Sequence, residues 1–103
     1  MPVDQIGRAS TSIVLNIAEG CGEFSAADRA RFYRFARRSA AECAAVLDLL
    51  EEFEQFPADA LEEGRVMLDR IMAMMTALLK LSLRKAEADK PRRSRREKVA
   101  PEP

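Results

Sequence analysis

The chain has 103 residues, enough for one small domain. Lysine and arginine together number 17, as do aspartate and glutamate, so the net charge is zero; this excludes a uniformly basic nucleic-acid coat but not local patches. Histidine is absent, which removes the commonest general acid/base and the commonest metal ligand, and composition favours a non-enzymatic helical protein. Two cysteines, Cys21 and Cys43, cannot make a disulfide framework or a four-ligand zinc site. No charged-then-apolar leader opens the sequence. The longest apolar stretch, Ile71 to Leu83, holds 13 residues with Lys80 inside it. That is short of the ~18–20 needed to span a bilayer, so no membrane is expected and a cytoplasmic address is.

The spacing predicts a first helix from about Asp4 to Glu19, with Asp4 as N-cap and Gly20 just past the end. Ile6, Ala9, Ser10, Ile13 and Ile17 share one face, and Leu15 points the opposite way. The second helix should start at Ser25, an N-cap with Asp28 three residues on, and run to about Gln55. Its predicted core face is Phe32, Phe35, Ala36, Ser39, Cys43, Val46, Leu50 and Phe53. At ~45 Å such a rod fits only an elongated bundle.

A third helix should begin just after Pro57 and reach about Lys85. One face reads Leu61, Leu68, Met72, Met75, Leu79 and Ser82. A second stripe, Met67, Met74 and Leu81, flanked by Ile71 and Leu78, lies on another side. A helix apolar on two sides is buried on more than one side. Met67, Met74, Leu78 and Leu81 therefore read as a self-association surface, or else as the edge of one wide core face. Residues 86–103 hold Val99 as their only large apolar side chain and carry Lys90, Arg92, Arg93, Arg95, Arg96 and Lys98 against four acids. They are expected to form a disordered basic tail behind a helical domain spanning 1–85.

The residues that invite a functional reading are the arginines of the second helix. Arg31, Arg34, Arg37 and Arg38 project away from its predicted core face, near an N-terminus whose dipole they oppose. Phosphate contact would rationalise them, and so would a solvated face with pairs such as Arg38 and Glu42. Arg92, Arg93, Arg95 and Arg96 form a flexible auxiliary that lacks aromatics for stacking bases. Cys43 reads as a small core hydrophobe and Cys21 as a turn residue. Glu19, Glu42 and the acids from Glu51 onward have no companion that would make a catalytic or metal site.

The string Ile6 to Glu42 carries a resemblance. Ser12-Ile13, the block Asn16-Ile17-Ala18-Glu19-Gly20, then Gly22, Ser25, Asp28, Arg31-Phe32, Ala36, Ser39 and Glu42 together resemble the four-helix-bundle proteins encoded in 23S rRNA intervening sequences, relatives of the Avd accessory protein of diversity-generating retroelements. The resemblance implies an up-down antiparallel bundle assembling into a ring, typically a pentamer. It also implies a basic surface for RNA or DNA and, in the Avd branch, contact with a reverse transcriptase. It carries no catalytic residue, cofactor, metal or small-molecule substrate. The family pattern has a further helix ahead of Ile6, so the three helices here match the last three of four; a truncation or a misassigned start would account for that. Glu23 replaces a usual basic residue, Arg38 a frequent glycine, and Val14 stands near a usual proline. The expected function is a non-enzymatic, self-associating bundle that binds nucleic acid. The alternative is a scaffold module, such as a reverse-transcriptase accessory protein.

Overall fold

In the computed structural model, which describes residues 2–53 and 56–91, the chain forms three helices and, among the described residues, no strand. These are α1 (Pro2–Gly22), α2 (Ala26–Glu52) and α3 (Ala58–Asp89). They run up, down and up as an all-α antiparallel bundle, 60 × 31 × 21 Å in extent. The central helix is α2, which packs along both neighbours, whereas α1 and α3 barely touch each other.

Local chemistry sets the boundaries. The Ser25 side chain accepts a hydrogen bond from the Asp28 backbone N–H at 3.1 Å, satisfying a donor that the first turn of α2 leaves free. Before it, the Arg29 guanidinium donates to the carbonyls of Glu23 and Phe24 at 3.1 and 2.8 Å, fastening the turn between α1 and α2. Arg29 is thereby committed to structure. Pro57 sits at the N-cap of α3, where the lack of an N–H costs nothing.

Several expectations are corrected. The first helix starts before Asp4 and continues through Gly20 to Gly22, so Asp4 is a first-turn residue and Gly20 is helical and buried. The third helix runs on to Asp89, so residues 86–89 belong to α3 and not to a tail. The tail arginines Arg92, Arg93, Arg95 and Arg96 lie outside the described residues.

The core of α2 keeps most of the expected face but not its aromatics: Ala36, Ser39, Cys43, Val46 and Leu50 are buried, whereas Phe35 and Phe53 are exposed and Phe32 is half-buried. Tyr33, Ala40 and Leu47 are buried in addition, so that Tyr33, Ala36, Ala40, Cys43, Leu47 and Leu50 form a seam at 3-4-3-4-3 spacing. The physical reason is close approach. Ala36 and Ala40 are fully buried small residues that let α2 sit near both neighbours, and a Phe at the seam would hold them apart. On α3, Leu61, Leu68, Met75, Leu79 and Ser82 are buried and Met72 is half-buried, as their spacing predicts. Ala9 and Ile13 of α1 join the buried residues from Ala40 to Leu50 of α2 and Leu61 and Leu68 of α3 in one cluster; Tyr33, Ala36 and Met75 form a second, and Ile17 and Ile71 pack against both.

Candidate functional site

Two surfaces flank this core. The first is the outer side of α2. Arg31, Arg34 and Arg38 are exposed there among the exposed alanines Ala27, Ala41 and Ala45, which leave the helix backbone open to approach. Arg31 is 4.0 Å from Asp28. Among the described residues Arg34 and Arg38 have no carboxylate within that distance, and Arg38 does not pair with Glu42. Arg37 departs from expectation. It is half-buried at the border with α3 and donates to the Thr76 hydroxyl at 3.5 Å.

The arginines are interleaved with aromatic rings. The Arg31 guanidinium carbon lies 4.9 Å from the Phe32 ring centroid, and that of Arg38 lies 6.0 Å from Phe35. The two rings meet edge to face, 6.2 Å apart and inclined at 81°. Hydropathy alone conceals this cluster, because large aromatics at helical spacing read as core. The signal for it is the opposing seam through Tyr33.

The second surface is apolar and lies where α1 and α3 fail to meet. A groove of about 320 Å3 runs between them, with Ile6, Val14, Met67 and Ile71 on its walls and Cys43 and Leu47 of α2 at its floor. The exposed strip of α3 extends the groove. Met67, Met74 and Leu81 are 58%, 57% and 58% exposed, and Leu78 is 36% exposed. With Ile71, these residues repeat at four-three spacing, the pattern of a helix seam seeking another helix.

Between the two surfaces, a polar network fixes α1 on α2. The Ser39 hydroxyl donates to Ser12 Oγ at 2.8 Å, and the Asn16 amide donates to the Ser12 hydroxyl and carbonyl at 3.0 and 2.8 Å. The expected motif residues Ser12, Asn16 and Ser39 are thus brought together as a structural joint. Cys43 is buried, and burial, then the Glu42 charge, raises its thiol pKa. Cys21 is exposed, with its sulfur 3.6 Å from the Tyr33 hydroxyl. Among the described residues, no cluster of three or more cysteines and carboxylates could hold a metal ion, and no helix is long and apolar enough to cross a membrane.

Three antiparallel helices with one arginine-rich flank and one open apolar groove define a small helical-bundle protein. The model of the 23S rRNA-intervening sequence protein family matches residues 2–77, which covers α1, α2 and the first part of α3. The chain belongs to that family, which is not a known enzyme family. No curated protein and no solved structure matches the chain.

Proposed function

We propose that this protein is a non-enzymatic, self-associating bundle whose α2 arginines bind the phosphate backbone of RNA or DNA. One observation carries the reading: among the described residues, Arg34 and Arg38 stand exposed on one flank of α2 with no carboxylate partner. Exposed cations with no acid beside them keep their charge free for phosphate, and releasing counterions from that phosphate favours binding. Replacing Arg31, Arg34, Arg37 and Arg38 by glutamine is expected to weaken binding of RNA or DNA oligomers. It should also flatten the dependence of log K on log salt, by up to ~0.9 per lost phosphate contact on duplex DNA. An unchanged slope rules this surface out.

The groove between α1 and α3 favours a second reading, a protein-interaction module that docks a copy of itself or another protein such as a reverse transcriptase. Fully burying Met67, Met74 and Leu81 would contribute ~1.5–3 kcal/mol per side chain. Met74→Asp and Leu81→Asp place a charge on the strip without touching the core. They are expected to lower the mass measured by light scattering and abolish partner recovery while helicity stays intact. Retained assembly and retained partner in both variants would reduce the strip to a solvated face.

A further inference from the structure

We propose that the cluster Arg31–Phe32–Phe35–Arg38 is a stacking platform for an unpaired nucleobase, so that the outer side of α2 takes single-stranded rather than duplex nucleic acid. The proposal rests on the reading of the arginines as a phosphate-binding surface and adds which form of nucleic acid they meet. Phosphate contact requires cations only, and Arg34 with its neighbours supplies them. The rings need another explanation. Phe35 is 38% exposed on a helix whose buried seam lies elsewhere, so core packing does not account for its position. Its ring has the Arg38 guanidinium over it, and the neighbouring Phe32 ring has that of Arg31.

The geometry bears on how a base would sit. Two rings inclined at 81° cannot clamp a planar base between them. A base instead stacks on one face of Phe35. Arg38, at 6.0 Å from the ring centroid, is at the outer limit of a cation–π contact and covers that face loosely. Arg31 lies closer, 4.9 Å from Phe32, and holds the neighbouring ring in place. Bases within a duplex are stacked on each other and offer no face to the ring. Only an unpaired base gains the ~1–3 kcal/mol that aromatic stacking supplies, a factor of about 5 to 150 in affinity. A second copy of the chain is the poorer occupant, because a two-fold contact over this surface sets arginines against arginines.

The full chain is titrated with labelled oligo-dT, oligo-U and a duplex of the same length, at several salt concentrations. The expected result is tighter binding of both single strands than of the duplex. Phe35→Leu, which preserves apolar character, should then lose about 10-fold for the single strands and little for the duplex, with the salt slope unchanged. Because the chain has no tryptophan, Phe35→Trp introduces a single emitter, whose fluorescence single strands should quench and duplex should not. Equal affinity for single strand and duplex overturns the platform. So does full single-strand affinity in Phe35→Leu or an unquenched tryptophan; in each case the phosphate-binding surface still stands if the glutamine variants lose binding. A change of solution mass in Phe35→Leu assigns the rings to a contact between copies and also overturns it. Failure of the unaltered chain to bind any of the three polymers at low salt defeats both readings together.

Discussion

The ring of Tyr33 lies so close across the backbone at Gly20 that a Cβ placed there would stand 2.6 Å from Cε1 and 2.9 Å from Cδ1. Gly20 is not a helix stop; it is the hollow in α1 into which the largest buried side chain of α2 fits. Glycine inside a helix costs ~1 kcal/mol relative to alanine, so its presence calls for a packing reason, and the ring supplies one.

Gly20→Ala is therefore expected to destabilise the bundle. Overpacking of ~1–3 kcal/mol outweighs the gain in helix propensity. For a domain of this size a net loss near 1 kcal/mol lowers the melting temperature by ~4–8 °C. Gly7→Ala is the control. Nothing lies within 4 Å of a Cβ there, so the same change should raise the melting temperature. Thermal melts followed by helical circular dichroism compare the two, and equal shifts would refute the packing account.

The Ser39–Ser12–Asn16 network makes a second prediction, about coupling. Ser39 is 7% exposed, and its hydroxyl donates to Ser12 Oγ. Ser12→Ala removes that acceptor and leaves the Ser39 hydroxyl to turn back onto its own helix, at a cost of ~1 kcal/mol. With both hydroxyls gone, Ser39 leaves no orphan, and the Asn16 amide keeps the Ser12 carbonyl as its acceptor in the single and the double variant alike. The double variant Ser12→Ala/Ser39→Ala should thus be more stable than the sum of the single changes implies, by ~0.5 kcal/mol or more. Denaturant melts of the four proteins measure the coupling; strict additivity would mean that the bond carries no net stability.

Much of this architecture is legible in the chain itself. Three helices, the Ser25 cap and both stripes of α3 follow from apolar spacing and from the punctuation at Gly22 and Pro57, because a 3.6-residue period over seven turns is hard to mistake. The rotational setting of α2 is not legible in the same way. Phe32 and Tyr33 each begin an apolar series, about 100° apart, and hydropathy prefers the phenylalanines. What selects Tyr33 is the hollow at Gly20 together with Ala36 and Ala40, whose smallness sets the distance between helices but contributes little to an apolar pattern. The same ambiguity conceals the half-buried Phe32 ring beside Arg31 and the exposed Phe35 ring beside Arg38. The outward projection of Arg31, Arg34 and Arg38 is legible; that of Arg37 is not, because its reach to Thr76 depends on where α3 lies. The groove appears in the sequence only as surplus apolar surface on α3. That α1 is the helix across it emerges from three-dimensional packing.

A pH dependence on the alkaline side follows from two buried acids. Burial raises the Tyr33 phenol above its ordinary value of 10.0; the hydrogen bond and the electrostatic interaction with Cys21 add to the effect, and the Arg29 charge opposes it. Burial, then the Glu42 charge, raises the Cys43 thiol above 9.0. Both groups are neutral when protonated. The unfolded chain gives up these protons first as pH rises, so it binds fewer of them than the folded chain and stability falls with pH. The contribution is whole below the ordinary values and is lost as pH climbs through the raised folded ones. The melting temperature should accordingly be independent of pH, as far as these two groups go, near neutrality and should decline from about pH 9 upward. Tyr33→Phe removes the upper part of that decline and Cys43→Ala the lower part, whatever each does to stability at neutral pH. Melts at closely spaced pH values test this by the shape of the curve, normalised to neutral pH. A decline that keeps its shape in both variants would place the alkaline sensitivity elsewhere, in the titration of surface lysines.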